Sequence, residues 1–148
     1  MKTKLLLTLL LSFSLSVFSQ THKEKRDQIK ALKVSFLTTE LKLTSQESAK
    51  FWPIYNAYEE KEFDIRHDKM RSIIKKIESA GESLSEKDAS NYLSQFQEAE
   101  KELSELKSKM IADLKPVIGS VKLLKLQKAE FDFKRKLLSK YKDIHNKE

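Results

Sequence analysis

From Ala89 to Val117 apolar residues return every seven positions: Ala89, Phe96, Leu103, Met110 and Val117, with Tyr92, Ala99 and Leu106 three further on. A seven-residue period held over this length commits the segment to a long helix. Because the stripe must be covered, it also demands an antiparallel partner helix. At about 1.5 Å per residue, a helix from Glu86 to Lys115 is roughly 45 Å long, which predicts an elongated molecule. The rest of the chain agrees, with only two glycines and two prolines in 148 residues, whereas sheet proteins need more turn residues. An apolar fraction of 39% beside 34% charged residues suits helix seams better than a thick core. The expected fold class is all-α: an elongated hairpin of about four helices, the long ones coiled-coil-like.

The first residues read MKTKLLLTLLLSFSLSVFSQ. Lys2 and Lys4 form a basic start, Leu5 to Val17 an apolar run, and Val17-Phe18-Ser19 ends on a small residue, the pattern of a cleaved export signal. A membrane span needs roughly 20 apolar residues, and this run is shorter and broken by serines. Residues 1–19 are therefore expected to be a signal peptide and 20–148 a single helical domain, periplasmic and without a stable membrane anchor after cleavage. Cysteine is absent, which removes disulfides, thiolate metal sites, a cysteine nucleophile and a lipoprotein anchor. Loss of Lys2 and Lys4 lowers the formal net charge from +7 to +5, so charge alone makes a poor case for nucleic acid as partner.

Four helical segments follow from spacing and punctuation. The first, about Lys23 to Leu41, carries Ile29, Leu32, Phe36, Leu37 and Leu41 on one face. The second starts at Thr44, where Thr44-x-x-Glu47 has capping-box spacing, and runs to about Ser79 through Phe51, Ile54, Tyr55, Tyr58, Ile65, Ile73 and Ile77. Pro53 interrupts it. A proline costs a helix interior about 3 kcal/mol, so either one bent helix passes through it or two helices meet there. The continuing stripe of Phe51, Tyr55 and Tyr58 favours the bent helix. Gly81 is a stop signal and Ser85-x-x-Asp88 a new cap. Pro116 makes Lys115 the expected end of the third helix. Ser120 can cap a fourth, with Leu124, Phe131 and Leu138 on one apolar stripe and Leu123, Leu137, Tyr141 and Ile144 widening it. Residues 78–105 carry eight acids against two bases, and 115–148 ten bases against four acids. Folded back on each other these segments attract. A homodimer would leave one basic surface uncovered.

Little in the chain points to catalysis. The histidines His22, His67 and His145 are scattered, and there is no Gly-rich phosphate loop, no G-x-S-x-G and no H-E-x-x-H. No enzyme activity and no cofactor are expected. Glu60, Asp64, His67 and Asp68 lie close in sequence, and Asp64-x-x-His67 has the one-face spacing of a metal pair. It occurs once, among Lys61, Arg66, Lys69 and Arg71, and reads better as a solvated face with pairs such as Glu62–Arg66. Phe51, Tyr55 and Tyr58 read as core. Trp52, one position off, fits either core or an exposed recognition surface, where Trp and Tyr are favoured.

The string Leu43-Thr44-Ser45-Gln46-Glu47 after a helix ending at Leu41-Lys42 resembles the LTxxQ-type periplasmic helical proteins related to Spy and CpxP, with Glu47 where that family usually has glutamine. The longer LTSQESAKFWPIYNAYEEK resembles more closely the LT-x-x-E-A-x-x-F-W-P-x-Y-x-x-Y-E variants regarded as sensors of ECF-type sigma factors. The late segment Lys128-Ala129-Glu130-Phe131-Asp132-Phe133-Lys134-Arg135-Lys136-Leu137-Leu138 resembles that group's K-A-E-x-x-F-x-R-x-L-L signature. The resemblance implies an elongated helical envelope protein without an active site, often dimeric. It would act by binding protein: an envelope-stress sensor, or unfolded clients held without ATP. Some relatives bind zinc, so a metal (zinc)-responsive periplasmic protein is the third reading the resemblance implies, behind the other two because this chain lacks their His- or Cys-rich segments. By the same resemblance the interaction residues would be Leu43, Thr44, Glu47, Phe51, Trp52, Pro53, Tyr55 and Tyr58, with Ala129, Glu130, Phe133 and Arg135 from the second signature.

Overall fold

A computed structural model of the chain describes residues 23–145. The signal-peptide reading of 1–19, the start of the domain at Gln20 and the histidine His22 lie outside them, as do the side chains of Tyr141, Ile144 and His145. The described residues are all-α, with short turns at 42–44 and 84–85 and no strand among them. No helix among them is long and apolar enough to cross a membrane. Helix α1 covers 23–41, α2 Ser45–Asp64, α3 Arg71–Ala80 and α4 Glu86–His145. The chain divides into two compact units, one made of 43–125 and the other of the flanking segments up to Lys42 and from Leu126.

Within 43–125 the punctuation works as the sequence predicts. Gly81 ends α3 with a positive φ of 51°, and the Asp88 N–H donates to Ser85 Oγ at 3.1 Å to start α4. The two arms run antiparallel. Lys69 bonds Glu102 at 2.6 Å, Ile65 shares a cleft with Leu106, and Tyr58 shares another with Met110.

Between α2 and α3 the backbone makes a turn of π-helix, Ile65–Met70, which the sequence did not announce. Its reason lies in the spacing of the core residues. Phe51, Tyr55, Tyr58 and Ile65 keep one face, but the next buried residue, Ile73, comes eight positions later instead of seven. In an unbroken α-helix of about 3.6 residues per turn, Ile73 would point roughly 80° away from Ile65. The wider π turn absorbs the extra residue and returns Ile73 to the core. On the opposite arm, Leu106 and Ala99, which face Ile65 and Ile73 across the two clefts, are only seven apart.

Both prolines are carried inside helices, which corrects the expected helix end at Lys115: α4 continues through Pro116 to Ile118. α2 likewise passes through Pro53 as one helix. The arrangement is the same each time. Phe51 and Tyr55 flank Pro53, and Leu114 and Ile118 flank Pro116, at two positions on either side. A two-residue step turns about 200°, so burying these neighbours turns each proline outward. Ala49 and Ala112, whose carbonyls lose their helical donor, are exposed and can be hydrated. The true break is at Gly119, with φ 73° and ψ 165°.

The same shift corrects the seven-residue seam of α4. Ala99 and Met110 are buried as expected, but the stripe then steps by four through Leu114 and Ile118, leaving Val117 half-buried. A second correction concerns the single apolar stripe expected through Leu124, Phe131 and Leu138 and widened by Leu123 and Leu137: its first three members are 74%, 67% and 63% exposed. Leu123, Leu126 and Ala129 are buried instead, and Phe133 and Leu137 half-buried. Small Ala129 permits close packing, whereas burying the Phe131 stripe would desolvate the bases that flank it.

In the other unit, Leu37 and Leu41 of α1 and Leu126 and Ala129 of α4 are buried. Phe36 meets Phe133 with ring centroids 5.7 Å apart, and Lys136 Nζ lies 4.6 Å above the Phe36 ring. Leu32, expected on the inner face of α1, is 53% exposed.

Candidate functional site

The motif residues Thr44 to Tyr58 assemble from the cap upward. Thr44 is the N-cap in extended conformation. Glu47 N–H donates to Thr44 Oγ1 at 3.2 Å, and Thr44 N–H donates to Glu47 Oε2 at 2.8 Å. That capping box satisfies two backbone donors that a helix start leaves open. The same carboxylate oxygen accepts from Lys122 Nζ at 2.6 Å, both side chains being about three-quarters buried. Glu47 therefore caps one arm and ties it to the other. Leu43 sits half-buried just before the cap.

One turn on, Phe51 and Tyr55 are fully buried and stacked, with centroids 5.2 Å apart and planes 13° from parallel. Trp52 lies edge-on to both, at 4.9 Å and 5.9 Å, and Tyr58 continues the series 6.0 Å from Tyr55. Edge-to-face and offset pairs at these separations stabilise beyond simple burial. The structure thus resolves the open question at Trp52 halfway: its ring braces the cluster while the residue stays half-buried beside exposed Pro53.

The second group of motif residues belongs to the other unit. Ala129 is buried, Phe133 packs on Phe36, Glu130 is half-buried, and exposed Arg135 donates to Asp132 Oδ1 at 3.2 Å. Lys128 bonds the other Asp132 oxygen at 2.5 Å and, with its hydrogen bond foremost, holds that carboxyl below its ordinary value.

Lys122, Asp132 and Phe36 escaped the sequence analysis as site residues. Nothing local marks Lys122, since its partner is 75 positions away. Asp132 could have been found, because Lys128 and Arg135 stand four before and three after it.

The pair Asp64 and His67 does not keep its α-helical spacing, because His67 lies in the π turn, with its ring stacked on Phe63 at 4.4 Å. Among the described residues no three His, Asp or Glu side chains gather where a metal could be held. The Glu62–Arg66 pair forms as expected, at 3.0 Å. The three clefts between the arms are shallow, and the one at Lys61, Asp64, Glu102, Glu105 and Lys109 mixes both signs of charge.

Lys122, then the Thr44 N–H, hold the Glu47 carboxyl below its ordinary 4.5. A depressed carboxyl pKa contributes stability that is present above the unfolded value and is lost as pH falls through the folded one. Glu47→Gln keeps the cap acceptor but removes the charge facing Lys122. Wild type is therefore expected to unfold at higher denaturant than Glu47→Gln at neutral pH. The gap should close as the titration is carried below 4.5; a gap independent of pH would dissociate Glu47 from the effect. Compared with known protein families, curated proteins and solved structures, the chain gives no match.

Proposed function

We propose that the protein is an exported, periplasmic sensor or accessory protein of an ECF-type sigma-factor envelope-stress system, acting by protein–protein binding. The observation that carries this reading is the FWPIY segment. Its resemblance to the sigma-factor-sensor variants coincides with a capped, aromatic-braced block in which Trp52 and Pro53 stay accessible. The finer architecture belongs to the same proposal: an elongated, Spy/CpxP-like hairpin of about four helices, with homodimerisation as a route to a larger binding face.

Two relations support a functional bend. Pro53 lies six residues after Glu47 and Pro116 six before Lys122, and Glu47 and Lys122 are bonded. Both prolines therefore stand near the same level of the antiparallel arms, where each removes a hydrogen bond on the solvent side. Pro53→Ala should recover about 1 kcal/mol from that bond and weaken partner binding. A variant that is stabilised yet regulates normally would remove the bend from the mechanism. The regulatory role itself is tested by deleting the gene and following sigma-dependent transcripts under envelope stress, where an unchanged response would refute it.

A second reading, an ATP-independent chaperone like Spy, is favoured by the large apolar side chains left exposed, among them Leu93, Val121 and Leu124. It requires that stoichiometric protein slow aggregation of a denatured client at low ionic strength, where charge attraction is least screened.

A further inference from the structure

The outward side of α4 from Lys128 to Lys142 has a composition that, Arg135 apart, the proposed function does not use. With Leu126, Ala129, Phe133 and Leu137 turned inward, an outward arc of the helix, about 120° wide at ~100° per residue, holds six residues. They are Lys128, Phe131, Lys134, Arg135, Leu138 and Lys142, and all six are exposed. The arc contains four bases, two large apolar side chains and no acid. Asp132 stands at its edge, where it orients Lys128 and Arg135. The whole unit is biased the same way. Segments 23–42 and 126–145 carry twelve Lys and Arg against six Asp and Glu, while 43–125 carry fourteen against fifteen.

We infer that this face docks on an anionic lipid bilayer surface, with Phe131 and Leu138 entering the headgroup–acyl boundary and the four bases meeting lipid phosphates. Two features favour a bilayer over a partner helix. A packed helix would need an apolar residue between the anchors at the next seam position, and that position is Lys134, which the seam would bury. A second copy presenting the same face would set four bases against four. A bilayer asks for neither: it accepts isolated apolar anchors and attracts bases spread around them.

The test is vesicle binding by the full chain, with wild type and variants carrying the same N-terminus, read by mass spectrometry, so that any contribution of the 5–17 apolar run cancels. Sedimentation with phosphatidylcholine vesicles is compared with vesicles containing about one-third phosphatidylglycerol, at low and high ionic strength. The expected result is retention on the anionic vesicles that high salt reverses. Lys134→Glu with Lys142→Glu should lower the partition at least ten-fold, since each base near such a surface is worth about five-fold. Phe131→Ala with Leu138→Ala should lower it several-fold at unchanged charge. Because all four positions are exposed, circular dichroism and melting should match wild type. Phe131→Trp reports the contact directly, as a blue-shifted emission over wild type on anionic vesicles only. Equal binding to both vesicle types, an unshifted emission from the Phe131→Trp variant, or binding to an acidic protein or nucleic acid with none to vesicles would each overturn the inference.

Discussion

Phe51→Ala is expected to destabilise the protein by about 3–5 kcal/mol, the range for deleting a fully buried phenyl ring. Phe51 is entirely buried and contacts both Trp52 and Tyr55, so its removal takes away a stacked and an edge-to-face partner together. The cavity cannot be filled by its neighbours, because Tyr55 is itself fully buried and Trp52 is on the adjoining face. Against a total stability of about 5–15 kcal/mol for a domain, this is a large fraction. Urea unfolding followed by the fluorescence of Trp52, the sole tryptophan, measures it at the site. The midpoint should fall sharply with an unchanged slope. A loss under about 1 kcal/mol would mean that the aromatic cluster is not a packing centre.

Gly119→Ala should cost about 1–3 kcal/mol, for a different reason. At φ 73° and ψ 165° the backbone is in a region open essentially to glycine alone. A Cβ placed there would meet nothing within 4 Å, so the penalty comes from the backbone and not from collision. Serine should therefore cost about as much as alanine. A penalty rising with side-chain size would contradict the open space. The relaxed alternative is a helix unbroken at 119, which would carry Lys122 away from Glu47. Gly119→Ala should accordingly also abolish the pH-dependent advantage of Glu47 over Gln, measured in the same unfolding series.

The helical class, the Thr44 and Ser85 caps, the Gly81 stop and the burial of Phe51, Tyr55 and Tyr58 were legible because each is written within a few neighbouring residues. What escaped depended on distant ones. Helix 120–145 has two apolar stripes, through Leu124 and through Leu123, and either could be the inner one by spacing alone. The bases at 128, 134 and 135 around Phe131 were the discriminating signal, since burying that stripe would strip water from all three together. Pro116 misled for a related reason. Proline disfavours helix in the residue before it, but that preference yields when Leu114 and Ile118 both gain burial by carrying the helix on. At the candidate site, the reciprocal cap was readable from Thr44 and Glu47, whereas Lys122 became part of it only once the arms had paired.

The π turn at Ile65–Met70 has a consequence for how the chain tolerates changes in length. Eight residues there span what seven span opposite, so this arm carries one surplus position, stored as a wider turn. Loss of a single exposed residue such as Arg66 or Asp68 would convert the segment to ordinary α-helix and keep Ile65 and Ile73 facing inward. The same loss between Phe51 and Tyr58 would rotate one end of the aromatic series out of the core. Insertions and deletions along this arm are thus unequal: the π turn is a slack link, and the motif segment has none.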